Sequence, residues 1–256
     1  MERALVVHAC VPEERFQVAA DSWAAELHPE FPHAKVLSEW TLEVTEKDGM
    51  PVLDPTRQTL TLRQTFWKMK GDRKDHGIQL WPDRISFNLF GAPGEPRSYE
   101  ELEALEEQWL RRWAQHFEVT ECGGVTLQYV NLLAESTLPK FVKKKSLHVG
   151  EALKMFQSIP GELHTLHPPF DFQFNMDGET TDPPSRIGAH CVSIKKKSGE
   201  IPSMHLRFTA TTHIDKRSVG LDKVTTEARL MHDLILRQFE AFFTEEAKAM
   251  FQPCQS

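Results

Sequence analysis

The chain has little cysteine and almost no tyrosine: four Cys and two Tyr in 256 residues. Cys10, Cys122, Cys191 and Cys254 stand far apart, and no two of them form a CxxC pair. Neither a disulfide-stapled small fold nor a zinc ribbon fits that spacing, so free thiols in a reducing cytosol are expected. No apolar run is long enough to span a bilayer. The short run Ala4–Val7 follows a single Arg and is broken by His8, which is the pattern of a strand and not of a signal peptide. A Gly-rich phosphate loop, a GxSxG elbow and paired carboxylates at catalytic spacing are all missing. An excess of positive charge is missing too. The formal net charge is -7 with His neutral, which opposes general attraction to nucleic acid and leaves only local basic patches for that purpose.

What is present is an ordinary globular composition, 40% hydrophobic and 26% charged, in a chain long enough for one large domain or two small ones. The clearest periodic signals lie between Gly77 and Leu133. Ile85, Phe87 and Leu89 alternate with Ser86 and Asn88, the period of a half-buried strand. Pro82-Asp83 before them predicts a hairpin between Gly77–Trp81 and Arg84–Phe90. Ser98 and Glu101 form a capping box, and Leu102, Leu105, Trp109, Trp113 and Phe117 follow at helical spacing. After Gly123-Gly124, Val125, Leu127 and Tyr129 alternate with Thr126 and Gln128 as another strand.

Before this centre the pattern predicts a strand at Ala4–Val11, a helix at Glu13–Leu27 and strands at Val36–Thr45 and Thr59–Met69, the last two flanking a loop at Lys47–Arg57. Beyond it come a short helix from Glu151, a strand around Phe170–Met176, a loop at Asp177-Gly178 and Asp182-Pro183-Pro184, strands at Ile187–Lys197 and Ile201–His213, and a closing helix at about Lys223–Thr244. The expected fold is α+β, with antiparallel sheets and amphipathic helices packed on one side. Residues 1–137 form a β-α-β-β-β-α-β half and residues 138–256 an α-β-β-β-α half. Each half places a β-meander before an amphipathic helix, the pattern of a degenerate tandem repeat within one compact unit or two fused ones.

Two stretches resemble a family of uncharacterised, sporadically distributed prokaryotic proteins. One is the central module PDRISFN, the helix opening SYEEL, and VTLQYVNLL, which is similar to that family's aromatic-Ile-Asn strand. The other is LMHDLILRQFEAFFTEEAKAMF, similar to its closing helix with a Leu-His pair and Phe. Gln128 stands where the family has Arg, and Met231 where it has Leu. The resemblance implies no activity. The family's patchy distribution resembles that of antiviral-defence genes, including accessory proteins of CRISPR-linked loci.

Several residues are candidates for chemistry. His205, Arg207 and His213, with Thr209 and Thr211, share one face of a predicted strand, which could bind an anion or supply an acid–base pair; a wet sheet surface is the plainer reading. His164 and His167 form an HxxH in a Pro-rich connector and lack a third ligand. Asn131 interrupts the apolar side of its strand and His232 borders the apolar stripe of the last helix; both are expected to make structural hydrogen bonds. The triplets Lys143, Lys144, Lys145 and Lys195, Lys196, Lys197 could contact nucleic acid, but Phe141 is the only aromatic beside them and a solvated edge is the plainer reading. The expectation is therefore a nonenzymatic cytosolic, regulatory protein that engages a protein partner, with no cofactor, metal, nucleic acid or membrane. The alternatives are a small-molecule or phosphoester enzyme using the His/Arg strand face, and an RNA-binding module using the lysine triplets.

Overall fold

The structure is a computed structural model. It describes residues 2–47, 50–92, 97–135, 137–143, 146–157, 173–181, 184–194, 203–212 and 219–251. His164, His167, His213, Lys144, Lys145 and Lys195–Lys197 lie outside the described residues, as do Phe170 and Phe172. The chain runs β1 (Glu2–His8), α1 (Glu13–Leu27), β2 (His33–Lys47), β3 (Met50–Lys70), β4 (Arg73–Trp81), β5 (Arg84–Phe90) and α2 (Tyr99–His116). There follow β6 (Glu121–Cys122), β7 (Gly124–Leu133), β8 (Val142–Lys143), β9 (Ser146–Leu147), α3 (Val149–Ala152) and α4 (Lys154–Gln157). It ends with β10 (Gln173–Thr181), β11 (Pro184–Ile194), β12 (Ser203–Thr212), β13 (Val219–Gly220), α5 (Val224–Phe242) and α6 (Glu245–Phe251).

Nine strands form one antiparallel sheet in the order β10-β11-β12-β7-β1-β5-β4-β3-β2. The fold is α+β, with the helices against one face. The two halves of the chain meet where β7 pairs with β12, next to the central strand β1. From β1 the chain leaves for the far edge and walks back through β2-β3-β4-β5 to β1's other side, then lays α2 over β5 and β1. From β7 it again leaves for the edge, walks back through β10-β11-β12 to β7's other side, and lays α5 over β12 and β7.

Alternation sets which side chains meet the helices. Leu5 and Val7, Ile85, Phe87 and Leu89, Val125 and Leu127, and Met204, Leu206, Phe208 and Ala210 point inward and are buried. Against them α2 presents Leu102, Leu105, Trp109 and Trp113, and α5 presents Val224, Ala228, Met231 and Ile235, all buried. Helix α1 joins this layer through Trp23, whose ring meets Trp109 edge-on at 5.8 Å, and Phe16, which stacks on Phe117 at 5.9 Å. Half of the expected capping box forms: Ser98 Oγ accepts from the Glu101 N–H at 3.2 Å, while the Glu101 carboxylate is taken by Arg97 at 3.0 Å.

Several boundaries differ from expectation, among them β2 from His33, β11 from Pro184 and two short helices, α3 and α4, in place of one from Glu151. β1 ends at His8, yet Ala9 and Val11 still donate to the carbonyls of Asp83 and Pro82 at the β4–β5 turn. Residues 50–57 are strand and not loop, despite Pro51 and Pro55. There β3 pairs only with β2, because β4 joins from Gln64 onward, and Pro55 falls where the register shifts between Leu53 and Gln58. A residue without an N–H is tolerated at such an edge or bulge. Asp177-Gly178 also lie within a strand, paired with Gly188 and Ile187.

Candidate functional site

The second face of the sheet carries no helix among the described residues. Its side chains are the alternate residues of the same strands. β12 presents His205, Arg207, Thr209 and Thr211; β7 presents Thr126, Gln128 and Val130; β1 presents Glu2, Ala4, Val6 and His8; β5 presents Arg84, Ser86, Asn88 and Phe90. Across the remaining strands lie Gln79, Trp81, Thr65, Trp67 and His33. His205 and Arg207 are exposed, as the strand alternation predicts. Asn131 is on the other face, 4% exposed and paired in register with Leu206, so it does not share a surface with them. Lys143 holds both oxygens of Glu151 at 2.7 Å.

Hydrogen bonds link the strands across this face. His8 Nε2 lies 3.0 Å from Thr126 Oγ1, which lies 3.0 Å from Thr211 Oγ1. Burial, then the charge of Arg84, holds His8 below the ordinary histidine pKa, so it is neutral at pH 7. Ser86 and Asn88, both 3% exposed, bond each other. Aromatic rings hold cations at two places on the β3–β5 side, one at each end of β4 and about 23 Å apart along it. Arg84 lies 4.6 Å and Arg63 5.5 Å from the Trp81 ring; Lys74 Nζ lies 4.6 Å from Trp67 and 6.0 Å from Phe90. His33 stacks on Trp67 at 5.8 Å. Phe90 folds over Gly77, where a Cβ would stand 3.2 Å from the ring and 3.2 Å from the Phe66 carbonyl; this close approach needs glycine. Glu2 sits between Lys74 and Arg207. Burial raises its pKa, while the amino terminus, Arg207 and Lys74 oppose that rise. His205 is held low, by partial desolvation first and then by the positive charge of the amino terminus and Arg207.

A second polar cluster is sealed beneath the helices. The Tyr129 hydroxyl donates to His232 Nδ1 at 2.7 Å, and the His232 ring stacks on Tyr99 at 4.3 Å. The Arg3 guanidinium lies 4.6 Å from the Tyr129 ring. Burial and then Arg3 lower the His232 pKa, which favours the neutral ring; in the tautomer protonated at Nε2, Nδ1 accepts from the Tyr129 hydroxyl. The histidine thus ties α5 to the sheet, the structural role expected of it. Nearby, Glu106 of α2 is 1% exposed and accepts from Thr225 at 3.1 Å. Burial pushes its carboxyl up to about 7. It lines a cavity of about 370 Å³ with Glu107, Arg111, Leu221, Asp222 and Thr225. Among the described residues the Thr225 hydroxyl is bonded to it and no histidine or cysteine lines the cavity, so the cavity supplies a protonatable carboxyl beside a hydroxyl.

Burial pushes the thiols of Cys122 and Cys191 up to about 11 and about 12, away from thiolate reactivity; Cys10 is exposed. Among the described residues no cluster of three His, Cys, Asp or Glu could hold a metal ion, and no helix is long and apolar enough to cross a membrane. The His205/Arg207 row was legible from alternation alone. Glu2, Lys74, Arg84 and Trp81 were not, because pairing between distant strands brings them to the same face.

Fold and site together define an α+β protein with one antiparallel sheet, helical on one side and polar on the other. Comparison with protein-family models, curated proteins and solved structures finds no match in any of the three.

Proposed function

We propose that the protein is a nonenzymatic cytosolic binding protein that docks a protein partner on the helix-free face of its sheet, in a regulatory or defence setting of the kind the sequence resemblance implies. The observation that carries this reading is the one-sided placement of the described helices. Nine strands at about 4.8 Å spacing make the sheet about 38 Å wide, and its central strands are about 20 Å long. That is about the area one partner gives to a stable protein–protein interface. An enzyme using His205 and Arg207 is less well supported. Both residues lie on an exposed row, and neither lines the cavity beside Glu106. Catalytic side chains work in concave, water-poor sites.

The test is site-specific photocrosslinking in the native cell. A crosslinker at Arg207 should capture one protein, while a crosslinker at Val18, 83% exposed on α1, should not. Equal capture from both positions, or capture from Val18 alone, sinks the reading.

A further inference from the structure

Charge is divided between the two sides of this molecule. Helices α1, α2, α5 and α6 carry fourteen acidic and six basic residues, an excess that accounts for the whole negative charge of the chain. On the helix-free face the balance reverses. Arg207, Arg84, Arg63 and Lys74 project there, and Glu2 is the single carboxylate among the outward positions of β1, β5, β7 and β12. Lys74 and Arg207 are exposed and, among the described residues, neither forms an ion pair. Arg84 is 35% exposed and, among the described residues, its ion-pair partner is the exposed Asp83 at 3.5 Å. Toward the other edge the face is mixed, with Asp177 and Glu179 against Arg186.

We infer that the partner docked on this face is an acidic polypeptide segment, whose carboxylates pair with Arg207 at one end and with Lys74 at the other. The inference rests on the docking reading above and names the chemistry of its partner. Arg207 and Lys74 are four strands apart, about 19 Å. An extended peptide covers that distance in about six residues. The gap exceeds the Debye length of about 8 Å at physiological salt, so each end needs its own counter-charge and a single carboxylate cannot serve both. Ring faces decide between polypeptide and single-stranded nucleic acid. Nucleic acid bound on a sheet stacks its bases on open aromatic faces. Here Trp81 is 6% exposed with two guanidiniums against it, and Trp67 is flanked by His33 and Lys74. Among the described residues these two indoles are taken by cations and an imidazole, and Phe90, which is partly open, has Lys74 at 6.0 Å. Fixed guanidiniums and an ammonium suit carboxylates, with Arg able to pair bidentately.

The full-length protein is titrated against three probes at low salt: a fluorescent oligoglutamate of about ten residues, long enough to span the two ends, an oligothymidylate of equal charge, and phosphatidylserine vesicles. Oligoglutamate should bind, and binding should weaken at least about tenfold when salt rises several-fold. The pair Lys74→Gln and Arg207→Gln should weaken it at least about tenfold, and Lys74→Glu with Arg207→Glu should abolish it, all with melting curves like that of the parent. Lys143→Gln, whose ammonium already serves Glu151, should bind like the parent. The inference is overturned if oligoglutamate does not bind, if the paired variants bind it as the parent does, or if oligothymidylate or vesicles bind more tightly and lose that binding in the same variants. Its failure is separable from that of the docking reading. A crosslinked protein at Arg207 without oligoglutamate binding leaves the docking face and removes the acidic partner; equal crosslinking from Val18 removes the docking face whatever the titration gives.

Discussion

The two faces of the sheet are made by the same strands from alternate residues, and they have opposite characters. On β12, Met204, Leu206 and Phe208 are fully buried, while His205 and Arg207 between them are exposed. On β5, Ile85, Phe87 and Leu89 go under α2, while Arg84 and Phe90 remain partly open. The first face gains its stability from large rings removed from water. The second offers charge and hydrogen bonds, with Ser86, Asn88 and Trp81 buried among them and His205, Arg207 and Lys74 exposed. A fold that spends its helices on one side keeps the other available for a partner. The comparison can be broken by showing that the second face is as costly to alter as the first.

The largest effect belongs to the core. Trp109 is 2% exposed, with Trp23 and Phe31 both edge-on at 5.8 Å. Trp109→Ala should cost about 3–5 kcal/mol, read from denaturant unfolding, because the vacated space is walled by rings that cannot follow inward. Phe239, which shares the α5 stripe in sequence, is only partly buried and should cost less. A Trp109→Ala midpoint like that of the parent would mean that the helical layer is not the core.

Next comes a charge within that layer. Glu106 is buried and its carboxyl is raised to about 7. A carboxyl whose folded pKa lies above its unfolded value contributes stability that is complete below the unfolded pKa and is lost as pH rises through the folded one. Stability should therefore fall between about pH 4.5 and pH 7 on account of this group, by up to about 3 kcal/mol. Glu106→Gln cannot ionise and keeps an oxygen for Thr225. It should match the parent near pH 4.5 and exceed it at pH 8. A parallel pair of stability–pH curves would show that Glu106 has more water than its burial implies.

A smaller effect tests the link between layer and sheet. Tyr129→Phe removes the hydroxyl that His232 accepts, and leaves a desolvated ring nitrogen without that bond. The expected cost is about 1–2 kcal/mol at pH 8, where His232 is neutral. It should not extend to the helix-free face, so oligoglutamate binding should be unchanged. A loss of binding in Tyr129→Phe would couple the two faces and blur their contrast.

How far the two faces were readable before the structure follows from the same geometry. Period-two and period-3.6 patterns are local, so the inward residues of β5, β7 and β12 and the buried stripes of α2 and α5 could be read directly. His205 and Arg207 came from the same alternation. Strand order is not local. Nothing in residues 2–8 announces that β1 lies between β5 and β7, and only that pairing puts Glu2 between Lys74 and Arg207 and sets His8 beside Thr126. Prolines misled for a physical reason: Pro51 and Pro55 mark loops in most contexts, but here the strand has a single partner and needs fewer N–H donors. Asn131 was legible as buried and polar, while its separation from the His205 row required knowing which face of β7 the helices cover.

The smallest predicted effect makes the sharpest comparison, because it lies within three consecutive residues. Leu206→Ala should cost about 2–5 kcal/mol, since its side chain is fully buried under α5 beside Phe208. His205→Ser combined with Arg207→Gln should cost about 0.5 kcal/mol or less, because both side chains are exposed and neither forms an ion pair among the described residues. Partial desolvation, then neighbouring positive charge, holds the His205 pKa low, and Arg207 faces Glu2 without closing on it. Removing both therefore deletes little native attraction and some repulsion. The backbone pairing of β12 with β7 and β11 is untouched by either change. Chemical denaturation of the three variants side by side gives the answer. If the double variant costs as much as Leu206→Ala, the second face is packed against something within the folded protein, and it cannot be the surface that receives a partner. If it costs nothing and the acidic probe is lost, the residues of this row serve recognition and not stability.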